Sequence, residues 1–153
     1  MSLMSEEKIL YIDASNQILG RLASIIAKKL LEGYRVIVVN AEKAVVSGEK
    51  NRVLEGYKIL FRVKTHYNPE TKGVRRPRTP ANIFKRTVRG MLPIDKPKGR
   101  DAFKRLRVYI GVPSSMKNIA FIQFPEASVS RLRNRYVYLE EVAKAIGWRG
   151  VKK

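Results

Sequence analysis

Residues 8–40 read KILYIDASNQILGRLASIIAKKLLEGYRVIVVN, and this stretch decides the fold. Lys8 to Asp13 is a short apolar run of the kind a buried strand makes. Turn formers follow, Ala-Ser-Asn-Gln. Leu19, Leu22, Ala23, Ile26, Ala27, Leu30 and Leu31 then recur at helical spacing, with Arg21, Lys28 and Lys29 on the other face. The spacing predicts a helix over about Leu19 to Glu32, stopped by Gly33. Arg35 to Asn40 is β-branched and continuously apolar, as a strand covered on both faces should be. Strand, helix and strand at these lengths read as a right-handed βαβ unit with parallel strands.

Outward from that unit the pattern holds for a while. Ala44-Val45-Val46 reads as a brief further strand, and Ser47 as the N-cap of a second helix. Val53, Leu54, Tyr57, Leu60 and Phe61 supply that helix with a stripe to bury. From about Thr65 the character changes. Pro69, Gly73, Pro77 and Pro80 break any regular element, so residues 66–78 are expected to form a loop. Thr79-Pro80 places an N-cap before a proline at the first helical position, predicting a helix to about Leu92. Its core side would be Ala81, Phe84, Val88 and Met91. A short helix over Arg100 to Leu106 and a strand over Arg107 to Ile110 follow. Phe121 to Phe124 reads as an extended piece packed on the body. A last helix runs over about Leu139 to Ile146, with Leu139, Val142, Ala143 and Ile146 inward and Gly147 as its stop. No internal repeat, low-complexity tract or dividing linker appears, so residues 1–153 are expected to form a single domain.

Charge supplies the functional signal. The chain has 153 residues and a formal net charge of +19, too lopsided for stability to explain, because self-repulsion only weakens a compact state. The segment 62–107 holds fifteen Lys and Arg against three acids, Glu70, Asp95 and Asp101. Nucleic acid is the commonest partner for such a segment, and an anionic membrane the main rival. No apolar run approaches the roughly 20 residues that span a bilayer. The N-terminal MSLMSEEK is polar and carries two acids, unlike a secretory signal, which points to the cytoplasm.

A charge run is most often just a solvated face, so the cations need a further argument. Loop 66–78 carries Lys72, Arg75, Arg76 and Arg78 with Glu70 as its only acid. Three of the four are Arg, whose planar fork matches phosphate oxygens better than the point charge of Lys. His66 and Tyr67 add rings able to stack on an unpaired base. Lys85, Arg86 and Arg89 lie in the middle and later turns of the following helix, where cations suit its dipole. Lys96, Lys98 and Arg100 extend the basic ground around Gly99. A second cluster, Arg131, Arg133 and Arg135, stands on alternate residues near the C-terminal end.

Catalysis finds no such support. A ligand site beyond the strand ends would involve Asp13, Asn40 and Glu42, yet the turn after the first strand has one glycine where a dinucleotide fingerprint needs three. Ser47-Gly48-Glu49-Lys50 lacks the Gly-Lys-Ser/Thr ending of a phosphate loop. Asp13 reads better as a turn-capping residue. With no Cys, one His and carboxylates scattered singly, neither a metal site nor a thiolate nucleophile is expected. The expectation is a non-enzyme with no cofactor, no metal, no small-molecule substrate and no membrane partner.

A spaced pattern narrows this. Val88-Arg89-Gly90-Met91-Leu92-Pro93, then Gly99-Arg100, then Leu106-Arg107-Val108-Tyr109-Ile110-Gly111 resembles the signature of the ribosomal protein L-thirteen family of the large subunit. Asp13 followed by Leu19-Gly20-Arg21-Leu22-Ala23-Ser24 is similar to that family's N-terminal hallmark, and Val45-Val46-Ser47-Gly48 also has its counterpart. The resemblance covers about residues 8–148. Arg75-Arg76-Pro77-Arg78, with Pro80, Ile83-Phe84 and Arg86-Thr87-Val88-Arg89, resembles the archaeal and eukaryotic branch. The resemblance implies a three-layer α/β/α fold around a central four-stranded parallel sheet, with the basic loop and helix as an extension. It also implies a structural role in the ribosome: binding large-subunit rRNA, helping subunit assembly and sitting beside neighbouring large-subunit proteins, for which segment 112–135 is a candidate contact. The RNA-binding set expected from the charge and ring pattern is His66, Tyr67, Lys72, Arg75, Arg76, Arg78, Lys85, Arg86, Arg89, Lys96, Lys98 and Arg100.

Overall fold

Three parallel strands form the spine of the protein: Ile9–Asp13 (β1), Arg35–Val39 (β2) and Leu106–Val108 (β4), in the order β1-β2-β4. These elements are seen in a computed structural model that describes residues 8–73 and 75–151. The polar segment MSLMSEE, read above as no secretory signal, lies outside the described residues. β1 and β2 pair in register from Ile9 opposite Arg35 to Asp13 opposite Val39. The helix between them, α1, spans Leu19–Leu31, so the βαβ unit stands where the periodicity placed it. Its apolar face buries Leu19, Leu22, Ala23, Ile26, Ala27 and Leu30. β2 buries Val36 through Val39 completely or nearly so, which is why its run carries no polar alternation.

The four-stranded expectation needs correction. Among the described residues the parallel sheet has three strands. At the free edge of β1, Ile122 alone makes a parallel bridge to Ile12, accepting from the Asp13 amide (3.0 Å) and donating to the Tyr11 carbonyl (2.9 Å). The extended piece expected over residues 121–124 is thus present, but one residue of pairing does not make a strand. A separate two-stranded antiparallel ribbon joins Val45–Ser47 (β3) to Tyr136–Tyr138 (β5).

The remaining helices are Lys50–Arg62 (α2), Pro69–Lys72 (α3), Pro80–Arg89 (α4), Pro97–Lys104 (α5) and Leu139–Ala145 (α6). α4 and α5 pack on α1, and α6 packs against α2 and β5. Ser47 ends β3 and does not cap α2, whose N-cap is Glu49. The stripe assigned to α2 is only half-buried, and Leu60 is exposed outright. α3 supplies a single helical turn inside the expected loop. At α4 the cap is as the sequence reads: the Thr79 hydroxyl accepts from the Asn82 amide (3.3 Å) and Pro80 opens the helix. The helix stops three residues short of Leu92. Met91 turns outward, and Ile83, left off the expected core side, is buried with Phe84 and Val88. α6 buries Leu139, Val142 and Ala143 as expected, with Ile146 buried just beyond it and Gly147 at φ +116°.

The spaced signature sits where the chain turns back from α4 into the sheet. Gly99 is buried against Pro93, and a Cβ there would collide with the Pro93 carbonyl. Gly111 adopts φ +67°, donates its amide to Glu42 Oε2 (3.0 Å) and accepts from the Asn40 amide (3.1 Å). These residues serve the fold. Gly99→Ala is expected to destabilise by about 1–3 kcal/mol, since backbone must move to admit a methyl group. Gly56→Ala, mid-helix in α2 with nothing within 4 Å of the new Cβ, is expected to stabilise by about 0.5–1 kcal/mol. Urea unfolding of the two variants measures both.

Candidate nucleic-acid interface

α4 organises the basic surface. Ile83, Phe84 and Val88 are sealed into the core against α1 and β4. With that face committed, helical geometry leaves Arg86 and Arg89 exposed and Lys85 half-buried. The chain leading into α4 lies alongside. Arg75, Arg76, Asn82, Lys85, Arg86 and Arg89 line one open cleft of about 500 Å³, closed below by Pro77 and Phe103. No acid lines it. Arg75 and Arg76 also border a second cleft of about 510 Å³, whose other wall is the C-terminal end of α2 with Leu60, Phe61, Val63 and Lys64. The two arginines thus form a ridge between two grooves, the second of which includes Glu70 as its single acid.

Arg78 stands differently from its neighbours. One of its guanidinium nitrogens donates to the Ile146 carbonyl at the end of α6 (2.7 Å), and Cζ lies 4.5 Å from the Phe61 ring centroid. Gly147 makes room for it: a Cβ there would fall 2.7 Å from Arg78 Nη1. Arg78 fastens the loop to α2 and α6 with part of its fork. Lys72 Nζ lies 4.7 Å over the Tyr67 ring, covering one of its faces, while His66 and Tyr67 are exposed. Burial raises the Tyr57 phenol above its ordinary pKa, and Tyr57 borders a smaller hollow with Arg76 and Arg86.

Not every expected cation joins this surface. Lys98 lines a separate cleft with Ser24, Lys28, Glu32 and Met91, on the α1 side of the molecule. Lys96 and Arg100 are exposed at and near the start of α5. The polar residues at the strand ends are spoken for. Asp13 Oδ1 accepts from the Ser15 amide (2.9 Å) and the Asn40 side chain (3.0 Å), confirming its turn-capping place, and Glu42 is held by Gly111. Among the described residues no group of three His, Asp or Glu side chains could hold a metal ion, and no helix is long and apolar enough to cross a membrane.

The family model described as Ribosomal protein L13 matches residues 7–115. Large ribosomal subunit protein uL13 of Saccharolobus solfataricus is 53% identical, over 98% of this chain and 100% of its own. The uL13 proteins of Sulfolobus acidocaldarius and Archaeoglobus fulgidus are 51% and 49% identical, over 94% and 92% of this chain and 96% and 88% of theirs. The chain belongs to the ribosomal protein L13 family.

As an L13 family member it is a ribosomal protein and not an enzyme. The archaeal relatives agree with the branch that the arginine loop resembles. What sequence reasoning missed in this L13 protein is the partnership of Arg78 with Phe61 and Ile146, residues 17 and 68 positions away, for which no local signal exists. Arg78→Met is expected to cost about 1–2 kcal/mol in thermal or urea unfolding, because it removes a charged hydrogen bond and a cation held over a ring. Arg75→Met, on the exposed ridge, is expected to stay within about 0.5 kcal/mol of the parent.

Proposed function

We propose that this protein is a structural constituent of the large subunit of the cytoplasmic ribosome, binding large-subunit rRNA through loop 66–78 and α4 and helping the subunit assemble. One observation carries the reading: Arg75, Arg76, Lys85, Arg86 and Arg89 converge on a single cleft that no acid lines among the described residues. Five guanidinium and ammonium groups at close quarters need a polyanion to offset their repulsion, and phosphate oxygens fit the Arg fork. The uL13 names of the relatives supply the subunit. In this reading the whole chain acts as one domain and residues 62–107 as its RNA-binding segment. His66, Tyr67 and Lys72 extend the contact from the loop. Arg78 contributes whatever part of its fork Ile146 leaves free, and Lys96, Lys98 and Arg100 make a flanking contact on the α5 side. Neighbouring large-subunit proteins would meet the body over segment 112–135.

Phosphate contacts of this kind position a protein more than they select a sequence, so binding would be steeply salt-dependent and RNA shape would select the site. Replacing Arg75, Arg76 and Arg89 together by Ala, which spares the pinned Arg78, is expected to flatten the slope of log K against log salt by about 2–3 units, at roughly 0.7–0.9 for each phosphate no longer neutralised. Titration of the full chain with deproteinised large-subunit rRNA at several salt concentrations measures it. An unchanged slope would remove the cleft from the RNA interface.

A further inference from the structure

The far end of α2 carries a surface that the cleft above does not include. β5 alternates in burial: Val137 is buried, while Tyr136 and Tyr138 stand out to solvent at 43% and 37% exposure. Their rings meet edge to face, centroids 5.9 Å apart and planes at 83°. The Tyr138 hydroxyl donates to Asn16 Oδ1 (3.0 Å), and the chain entering β5 is fixed where the Arg135 carbonyl accepts from the Gly48 amide (2.8 Å). The rings are therefore held before any ligand arrives, which lowers the cost of binding one. The residues just before them, Arg131, Arg133 and Arg135, are all exposed, and no acid occurs between 131 and 138. Arg131 is tied to the Pro125 carbonyl (3.1 Å). Arg135 and Tyr136 line a cleft of about 490 Å³ with Glu49, Lys50 and Asn51 from the start of α2. Across the ribbon Tyr136 faces only Ser47, so no bulky cross-strand neighbour accounts for the ring.

We propose that this ribbon is a second RNA contact, taking an unpaired nucleotide on Tyr136 and its flanking phosphates on Arg133 and Arg135. The inference rests on the rRNA-binding reading and adds a site to it, taking Arg133 and Arg135, the last cations of segment 112–135, away from the protein contact and giving them to RNA. Ring and guanidinium side by side match base and phosphate together, and with Glu49 the one acid of the ribbon cleft against Lys50 and Arg135, and none between 131 and 138, the balance favours a polyanion. α2 links the two surfaces. Its first residues border the ribbon cleft and its last border the ridge of Arg75 and Arg76. Thirteen helical residues set them about 20 Å apart, at about 1.5 Å per residue. Exposed Lys50, Arg52 and Arg62 dot the helix between them. One RNA bridging both ends would meet the second surface at high effective concentration once held by the first.

The test uses the full chain with deproteinised large-subunit rRNA. Arg133→Ala with Arg135→Ala is expected to flatten the salt slope by about 1–2 units, and the corresponding double Lys variant to retain it. Ultraviolet cross-linking of the parent complex, followed by trypsin and mass spectrometry, is expected to find a nucleotide adduct on the peptide of residues 136–144, and Tyr136→Phe is expected to keep that adduct. An unchanged slope, or no adduct on that peptide, overturns the ribbon site. If Arg75, Arg76 and Arg89 replacement still flattens the slope in that case, the rRNA reading stands without it. If the parent chain fails to bind the rRNA at all, both fall. Protein-only cross-links at 136–144 in whole subunits would assign the ribbon to a neighbouring protein and also overturn the proposal.

Discussion

The seating of α4 is the constraint on which the basic surface depends. Phe84 and Val88 are fully buried and Ile83 nearly so, and a helix that commits these positions inward has no freedom left over where Arg86 and Arg89 go. Rotating α4 to hide its cations would bring guanidinium groups into the core at a desolvation cost far above any repulsion relieved. The Thr79 cap and Pro80 fix where the helix begins, and Pro93 packed on Gly99 fixes how the chain leaves it. Arg78 does the same for the loop upstream, tying it to Phe61 and Ile146. The cations between these anchors are thus held near one another by packing energy that does not come from charge.

That arrangement leaves a repulsion the chain does not offset by itself. The segment 62–107 has three acids for fifteen cations, and of these acids only Glu70 lines either groove beside the Arg75–Arg76 ridge. Ion pairs such as Lys29–Glu32, Arg62–Glu55 and Lys144–Glu140 lie on other surfaces and are partly or wholly exposed, so each contributes little. In the proposed reading a phosphate backbone supplies the counter-charge.

The parts of this fold that were legible are those written in local periodicity. α1 and α6 lie where their apolar spacing put them because each buries one continuous face and stops near a glycine, and β2 because its unbroken apolar run is buried on both faces. Non-local pairings left no such trace. Ile122 reaches β1 from more than a hundred residues away with a single bridge, and β3 finds β5 across about ninety residues with three residues each. α2 misled because its apolar spacing is real but its burial is partial, leaving Ile59, Leu60 and Val63 outward. The basic site was readable as charge and not as geometry. Composition could not separate Arg78, a fastener, from Arg75, or send Lys98 to the α1 side. The glycine signature was readable only as a family pattern, and its reason appears in the packing of Gly99 on Pro93.

The central claim is that the cleft beside α4 faces rRNA. The chain has no cysteine, so Asn82→Cys on the cleft wall and Glu32→Cys on the α1 side each give one unique attachment point. With an iron chelate tethered at each in turn, hydroxyl-radical cleavage of bound large-subunit rRNA reports which side lies against the RNA. Strong, localised cuts are expected from position 82 and weaker ones from position 32. Absence of cleavage from position 82, or stronger cleavage from position 32, would contradict the claim.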